Sequence, residues 1–286
     1  MHRIFNLRDS LGLGLPVLVL AALAGLVGVK LGALPLPEFH DARLVPVTVT
    51  VPSHRFSFAA PGSYQQAERV VDAPMLDIAA GPPLMVMRNE VTVAEYRQCV
   101  SDGACRPPEL KSRAGRADFP ITGVSYHDAE NFAQWLSRRT GFAWRLPSLA
   151  EWHSFAESAP RDDRAEAPDD GSNPSLRWIA TYERETALAA TGPARLAPVG
   201  TGGDNLFGIA DTTNAVWEWT ASCVTRVTLD ALGREQARLE ACGAHYLEGR
   251  HRAEMSDFIT DGVTGGCATG RPPDHLGFRL VRDAAI

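Results

Sequence analysis

The first apolar feature of the chain is a run without rhythm. Leu11 to Val29 passes nineteen residues without a charge, rich in Leu, Val, Ala and Gly, behind a weakly basic start from Met1 to Arg8. As a helix this run spans roughly 28 Å, close to the ~30 Å hydrocarbon core of a bilayer. Residues 1–36 then read as an uncleaved signal/anchor helix and its flank, or as a signal peptide cut at the A-x-A-like Ala22-Leu23-Ala24. The run outlasts an ordinary signal core and continues past that site, which favours the anchor. Both readings export the remainder. The expected location is periplasmic or extracytoplasmic, tethered to the inner membrane by the N-terminal helix.

Beyond the run the pattern becomes periodic. Residues 37–71 read as a linker with a short strand, because Leu44 to Val51 alternates apolar and Thr residues. Val70 to Met87 is punctuated by Pro74 and Gly81-Pro82-Pro83, which predicts short strands and turns. Helical spacing then takes over. Thr92 and Glu95 form a capping box ahead of Val93, Tyr96 and Val100. A second helix starts at Ser125 with Asp128, buries Ala129, Phe132, Ala133 and Leu136 on one face, and ends at Gly141. A third runs from Ser148 to Phe155, again with an acid, Glu151, three residues past the serine. Pro160 to Gly171 reads as a flexible acidic loop. Past Gly200, Gly, Asn, Asp and Thr dominate, and only short strands are expected near Val216–Thr220 and Phe278–Val281. The prediction for residues 72–286 is a loop-rich α+β domain.

Composition narrows this picture. The chain is 45% hydrophobic and 22% charged, as a folded protein should be, and its 25 Gly and 20 Pro agree with a loop-rich fold. About 240 residues remain beyond the first forty or so, enough for one large domain or two small ones. Net charge is −6, and basic residues cluster only in short pieces such as Arg250-His251-Arg252. Nucleic acid is therefore not an expected partner. Five cysteines suit an oxidising compartment. Cys99 and Cys105 bracket a turn around Asp102-Gly103, the first expected bridge. Cys223 with Cys242 is the second, leaving Cys267. Sequence alone leaves all fifteen connectivities of four cysteines out of five open. Trp135, Trp144, Trp152, Trp217 and Trp219 are assigned to the core, and a buried ion pair is expected somewhere in the region of Arg145 and Glu151.

Four segments carry a family resemblance. They are Arg88–Tyr96; Pro120–Ala129 with Trp135-Leu136 and Arg145–Trp152; Asn205–Asp211 leading to Val216-Trp-Glu-Trp-Thr220; and His275-Leu-Gly-Phe-Arg279. Their order and spacing over roughly residues 72–282 resemble the formylglycine-generating-enzyme (sulfatase-modifying factor)-like family. The resemblance implies a fold related to C-type lectins. It also implies a calcium loop at Asp211, Asn214, Val216 and Glu218, whose oxygens suit a hard cation. This chain has Asn214-Ala215 where the family usually has Gly-Asn, and a metal-free turn held by Asx hydrogen bonds is the alternative.

The active oxidases of that family bind Cu(I) with two cysteines five residues apart, a soft pair for a soft ion. Laid onto this chain, those positions fall near Leu247 and Arg252, which cannot ligate copper. Formylglycine chemistry is therefore not expected, and copper is not expected at the usual family site. Cys267 matches a cysteine downstream of the pair. A substitute transition-metal set would be His245, Glu248 and His251, which needs a helical stretch; the alternative is an exposed polar loop.

The segment Tyr246–Arg252 with Met255–Phe258 also resembles a membrane-anchored branch found near copper nitrite reductase in denitrifying bacteria. Two functions follow. One is an accessory or maturation factor for an exported protein. The other is a non-catalytic lectin-like binding module, whose predictions a purely structural envelope protein would mostly share.

Overall fold

In the computed structural model the described residues are 40–67, 69–108, 116–156, 195–212, 215–250, 252–262 and 275–284, with Ile179 and Glu183. The N-terminal apolar run, the acidic loop at 160–171, Asn214, His251 and Cys267 lie outside them. No helix among the described residues is long and apolar enough to cross a membrane.

Three helices begin where side-chain caps place them. Helix α1 (Val93–Ser101) follows Thr92, whose Oγ1 accepts the Glu95 N–H while Glu95 accepts the Thr92 N–H at 2.7 Å. Helix α2 (Tyr126–Thr140) repeats this with Ser125 and Asp128, and ends on Gly141 in the left-handed region at φ 76°. Helix α3 (Leu149–Ala156) follows Ser148, where Glu151 Oε2 accepts the Ser148 N–H at 2.8 Å and Ser148 Oγ accepts the Glu151 N–H at 3.2 Å. Each cap satisfies amide groups the helix cannot, worth about 1 kcal/mol apiece.

Strands fill the rest. Strand β1 (Thr48–Val51) pairs antiparallel with β6 (Leu84–Met87), and β11 (Val281–Asp283) takes the other edge of β6. Strand β2 (Arg55–Ala59) pairs with β5 (Met75–Ala79). The third sheet has the order β4-β3-β7-β8-β9, from β4 (Arg69–Val71), β3 (Ser63–Gln66), β7 (Trp217–Leu229), β8 (Glu235–Glu248) and β9 (Ala253–Ser256). Strand β10 (Leu276–Gly277) lies parallel to the start of β7. Gly277 is needed at that junction, because a Cβ there would sit 2.6 Å from the Ile121 carbonyl oxygen.

The expected short strand at Val216–Thr220 is instead the root of a long antiparallel pair. Strands β7 and β8 run 13 and 14 residues and are joined by a tight turn. Asp230 Oδ1 accepts the N–H groups of Leu232 and Arg234 at 2.9 Å, and Gly233 takes φ 76°. At its root the pair is core; from Glu235 to Gly243 every residue of β8 is exposed.

The core lies between α2, α3 and the β7 root. The apolar face of α2 is buried as expected, and so are the five tryptophans assigned to the core. Four indole N–H groups find acceptors: Trp135 on Asp102, Trp144 on Thr140, Trp152 on Glu218 and Trp219 on the Val124 carbonyl. Arg145 and Glu151 form the expected pair, bidentate at 2.7 Å but partly exposed. The fully buried ion pair lies elsewhere.

Candidate functional site

Strand β7 carries Glu218 into the core, where it meets Arg279. Arg279 donates from Nε to Glu218 Oε2 at 2.7 Å and from Nη2 to Oε1 at 2.6 Å. It also donates to the carbonyls of Arg88 and Ala210, at 3.2 and 3.0 Å. Trp152 Nε1 takes the remaining face of Glu218 Oε2 at 3.0 Å. Glu90 stands 3.8 Å from the same guanidinium, and its other oxygen has no partner among the described residues. Burial pushes the Glu90 carboxyl up to about 8; Arg279 pulls it down, while Glu218 and Asp211 add to the rise. At neutral pH Glu90 is therefore mostly protonated.

These contacts surround the residues of the calcium expectation. Asp211, at φ 63°, accepts the Gly202 N–H at 2.7 Å and also the Gly200 N–H. Asp211 and Val216 share with Glu90 the wall of a cavity of about 230 Å³. Oxygen donors are the right class for calcium. Yet Arg279 stands where a cation would neutralise Glu218, and two backbone amides occupy Asp211. Among the described residues no three His, Cys, Asp or Glu side chains are arranged to hold a metal ion. Asp211 and Val216 line one cavity, Glu218 is bound to Arg279, and Asn214 lies outside the described residues.

The second metal expectation, His245 with Glu248 and His251, needed a helix. The segment is strand β8, so His245 and Glu248, three positions apart, face opposite sides of the sheet. With His251 outside the described residues, nothing here brings the three together.

Glu248 faces α3 in a buried cluster that the sequence reading did not anticipate. Its Oε1 accepts from Arg252 Nε at 2.8 Å and lies 2.9 Å from His153 Nε2. Arg252 also donates to the carbonyls of Ala59 and Ala60, at 3.0 and 3.2 Å, and Phe58 stacks on His153 at 4.9 Å. Leu247 packs in the core, paired with Ala253 and Trp219. Leu247 is thus a core leucine, and Arg252 has four polar neighbours and the face of the Tyr246 ring.

His245 faces the other way. Its Nδ1 lies 2.7 Å from Asp257 Oδ1 and its Nε2 lies 3.7 Å from Cys223 Sγ. A carboxylate only accepts, so Nδ1 carries the proton. Tyr126 stacks on the imidazole, with centroids 3.7 Å apart and planes 5° from parallel. Burial and the Glu130 carboxylate push the Tyr126 phenol up, so it remains a phenol. Cys223 is bonded to Cys242, and Cys99 to Cys105. Asp257 and Tyr126 join His245 only through strand pairing and helix packing, so no local pattern announces them.

The described fold is thus a loop-rich α+β domain of the formylglycine-generating type, with two disulfides among its described residues. A family model described as a sulfatase-modifying factor enzyme 1-like domain matches residues 36–284, and the chain belongs to that family. It is 30% identical over 281 residues to a formylglycine-generating enzyme of Streptomyces coelicolor, covering 86% of this chain and 81% of that protein. A mouse protein named inactive C-alpha-formylglycine-generating enzyme 2 is 24% identical over 220 residues, covering 71% of this chain and 62% of its own length. Among solved structures, PvdO from Pseudomonas aeruginosa superposes with a TM-score of 0.54 at 19% identity, covering 88% of this chain and all of that one, a likeness of fold.

Proposed function

We propose that this chain is an exported, membrane-tethered accessory or maturation factor for another exported protein, and that it does not make formylglycine. The observation that carries the second half is the identity of residues 247 and 252. Leu247 is fully buried in the hydrophobic core and Arg252 is bound to Glu248, so neither position offers a thiolate to Cu(I). Export is supported by the two disulfides, which persist in oxidising compartments. Copper nitrite reductase is the client of choice, from the resemblance of the Tyr246–Phe258 segment to the branch found near that enzyme.

Two measurements test the reading. Purified protein given Cu(I) and a cysteine peptide is expected to yield no formylglycine; turnover would sink the first claim. Deleting the gene in a denitrifying host is expected to lower the copper content and activity of the exported reductase; full activity would reject the accessory role.

A second reading, a lectin-like binding module, is favoured by the exposed apolar side chains Leu232, Leu239 and Phe258, which are 76%, 63% and 76% exposed. A stoichiometric partner recovered from periplasmic extract, with no effect of the deletion on reductase maturation, would select it.

A further inference from the structure

The Cys223–Cys242 disulfide is placed unlike an ordinary cross-link. Its two sulfurs live in different surroundings. Cys242 belongs to the exposed part of β8, whereas Cys223 is half-buried on β7. The register slips between them: Cys223 lies opposite His245, but the next residue, Val224, lies opposite Ala241. The extra β8 residues bulge, and such bulges re-aim side chains. The Cys99–Cys105 bridge has no imidazole among the contacts found around it, while Cys223 Sγ lies 3.7 Å from His245 Nε2.

His245 is held for this contact from three sides. Asp257 fixes Nδ1 at 2.7 Å, Tyr126 stacks flat on the ring, and the strand pairing with Met255 sets the backbone. The imidazole is 5% and Asp257 3% exposed. The described charged or titratable groups facing the imidazole are Asp257 and Tyr126. With Nδ1–H given to Asp257, Nε2 is the nitrogen left to take up a proton beside the sulfur.

We propose that Cys223–Cys242 is a redox-active disulfide that oxidises an exported dithiol, with His245 stabilising the leaving thiolate and Asp257 positioning His245. A partner thiolate attacks the Sγ of Cys242, the exposed residue of the pair. A bond forms between the partner sulfur and Cys242, the Cys223–Cys242 bond breaks, and its electron pair goes to Cys223 Sγ. His245 Nε2, protonated from solvent, pairs with that thiolate. The partner's second thiolate then attacks the partner sulfur of the mixed disulfide and releases Cys242. In total the partner dithiol loses two electrons and two protons, and this disulfide becomes a dithiol. A leaving thiolate held by an imidazolium speeds exchange, and a stabilised reduced form makes the disulfide a stronger oxidant. This chemistry needs no copper and does not depend on which exported protein is the client.

The test uses the purified protein and reduced glutathione as the attacking thiol. Alkylation with iodoacetamide during the reaction traps the first intermediate. Peptide mapping is expected to find glutathione on Cys242 and the alkyl group on Cys223. The reverse labelling, or an even mixture, would overturn the proposal with no variant needed. His245→Gln is expected to slow the exchange about tenfold or more and to even out the labelling. Asp257→Asn should lie between it and the native protein, and Tyr126→Phe, which keeps the stack, should match the native rate. A purely structural dyad would change stability and leave the site of attack unmoved; that outcome in a folded His245→Gln protein would also overturn it. Formylglycine turnover is not a readout here, so failure of this proposal is separable from failure of the accessory reading.

Discussion

At the root of the β7–β8 pair, Glu218 and Arg279 satisfy one another under full burial, with Trp152 and two carbonyls closing the remaining directions. Further along the same two strands, from Glu235 to Gly243, β8 is exposed and the cross-strand tie is covalent. One region is held by a saturated charge cluster that nothing outside can reach. The other is held by a bond that a solvent thiol can reach. Burial explains the difference. A charge pair in a dry site is costly to disturb, whereas a strand without a buried face gains little from packing and needs a staple. Trp152, Glu218 and Arg279 each lie in one of the segments that carry the family resemblance.

The sharpest way to break this comparison is to remove half of the buried pair. Arg279→Met leaves Glu218 buried without its guanidinium, and the expected loss is about 3–5 kcal/mol in urea unfolding. Pairing it with Glu218→Leu should recover much of that loss, because no unpaired charge remains. A single variant within 1 kcal/mol of the native protein would show that the cluster is not the keystone described here.

The staple should matter less, and locally. Replacing Cys223 and Cys242 by serine removes a bridge of sequence separation 19. Loop entropy sets the cost at no more than about 3 kcal/mol. Hydrogen exchange should accelerate between Val224 and Ala241 while Trp217–Thr220 stays protected. Loss of protection at both ends together would mean that the pair unfolds as one unit.

The effect of Glu90 is of another kind and shows itself as a slope with pH. Its carboxyl titrates near 4.5 when unfolded and at about 8 in the fold. Between those values the folded chain holds a proton that the unfolded chain has lost, so stability falls as pH rises. The contribution is complete below about 4.5 and gone above about 8. Glu90→Gln removes this titration, so its stability relative to the native protein should improve steadily across that window. Parallel curves for the two proteins would contradict the assignment.

What the sequence made legible follows the same division. The caps at Thr92, Ser125 and Ser148 are local grammar and stand as read, as do the five core tryptophans and both cysteine pairings. The length of β8 was not legible. Glu235 to Gly243 is exposed throughout, so no alternation marks it, and its Glu, Gln, Ala and Gly are poor strand formers. The pairings of β1 with β6 and β3 with β7 join distant segments, which no local pattern announces. The spacing of His245 and Glu248 matched a helix turn as well as it matched a strand, and only the sheet decided that they face apart. Asp257 and Tyr126 carry no local sign of their role, because one arrives across β9 and the other from α2.

The smallest effect expected is none at all, and it bears on the division most directly. If Arg279 supplies the positive charge at Glu218 and backbone amides occupy Asp211, then calcium adds little to the fold at Asp211, Val216 and Glu218. A cation that binds only the native state raises stability by an amount set by its concentration over its Kd. Adding a calcium chelator should therefore leave the melting temperature within about 1 °C, since a loss of 1 kcal/mol would move a domain of this size by about 2–4 °C. A fall of several degrees, restored by calcium and by no other divalent ion, would show that a shell completed through Asn214 binds the metal after all. The buried cluster would then be a charge pair that depends on an ion, and Arg279→Met would lose less in calcium than in chelator.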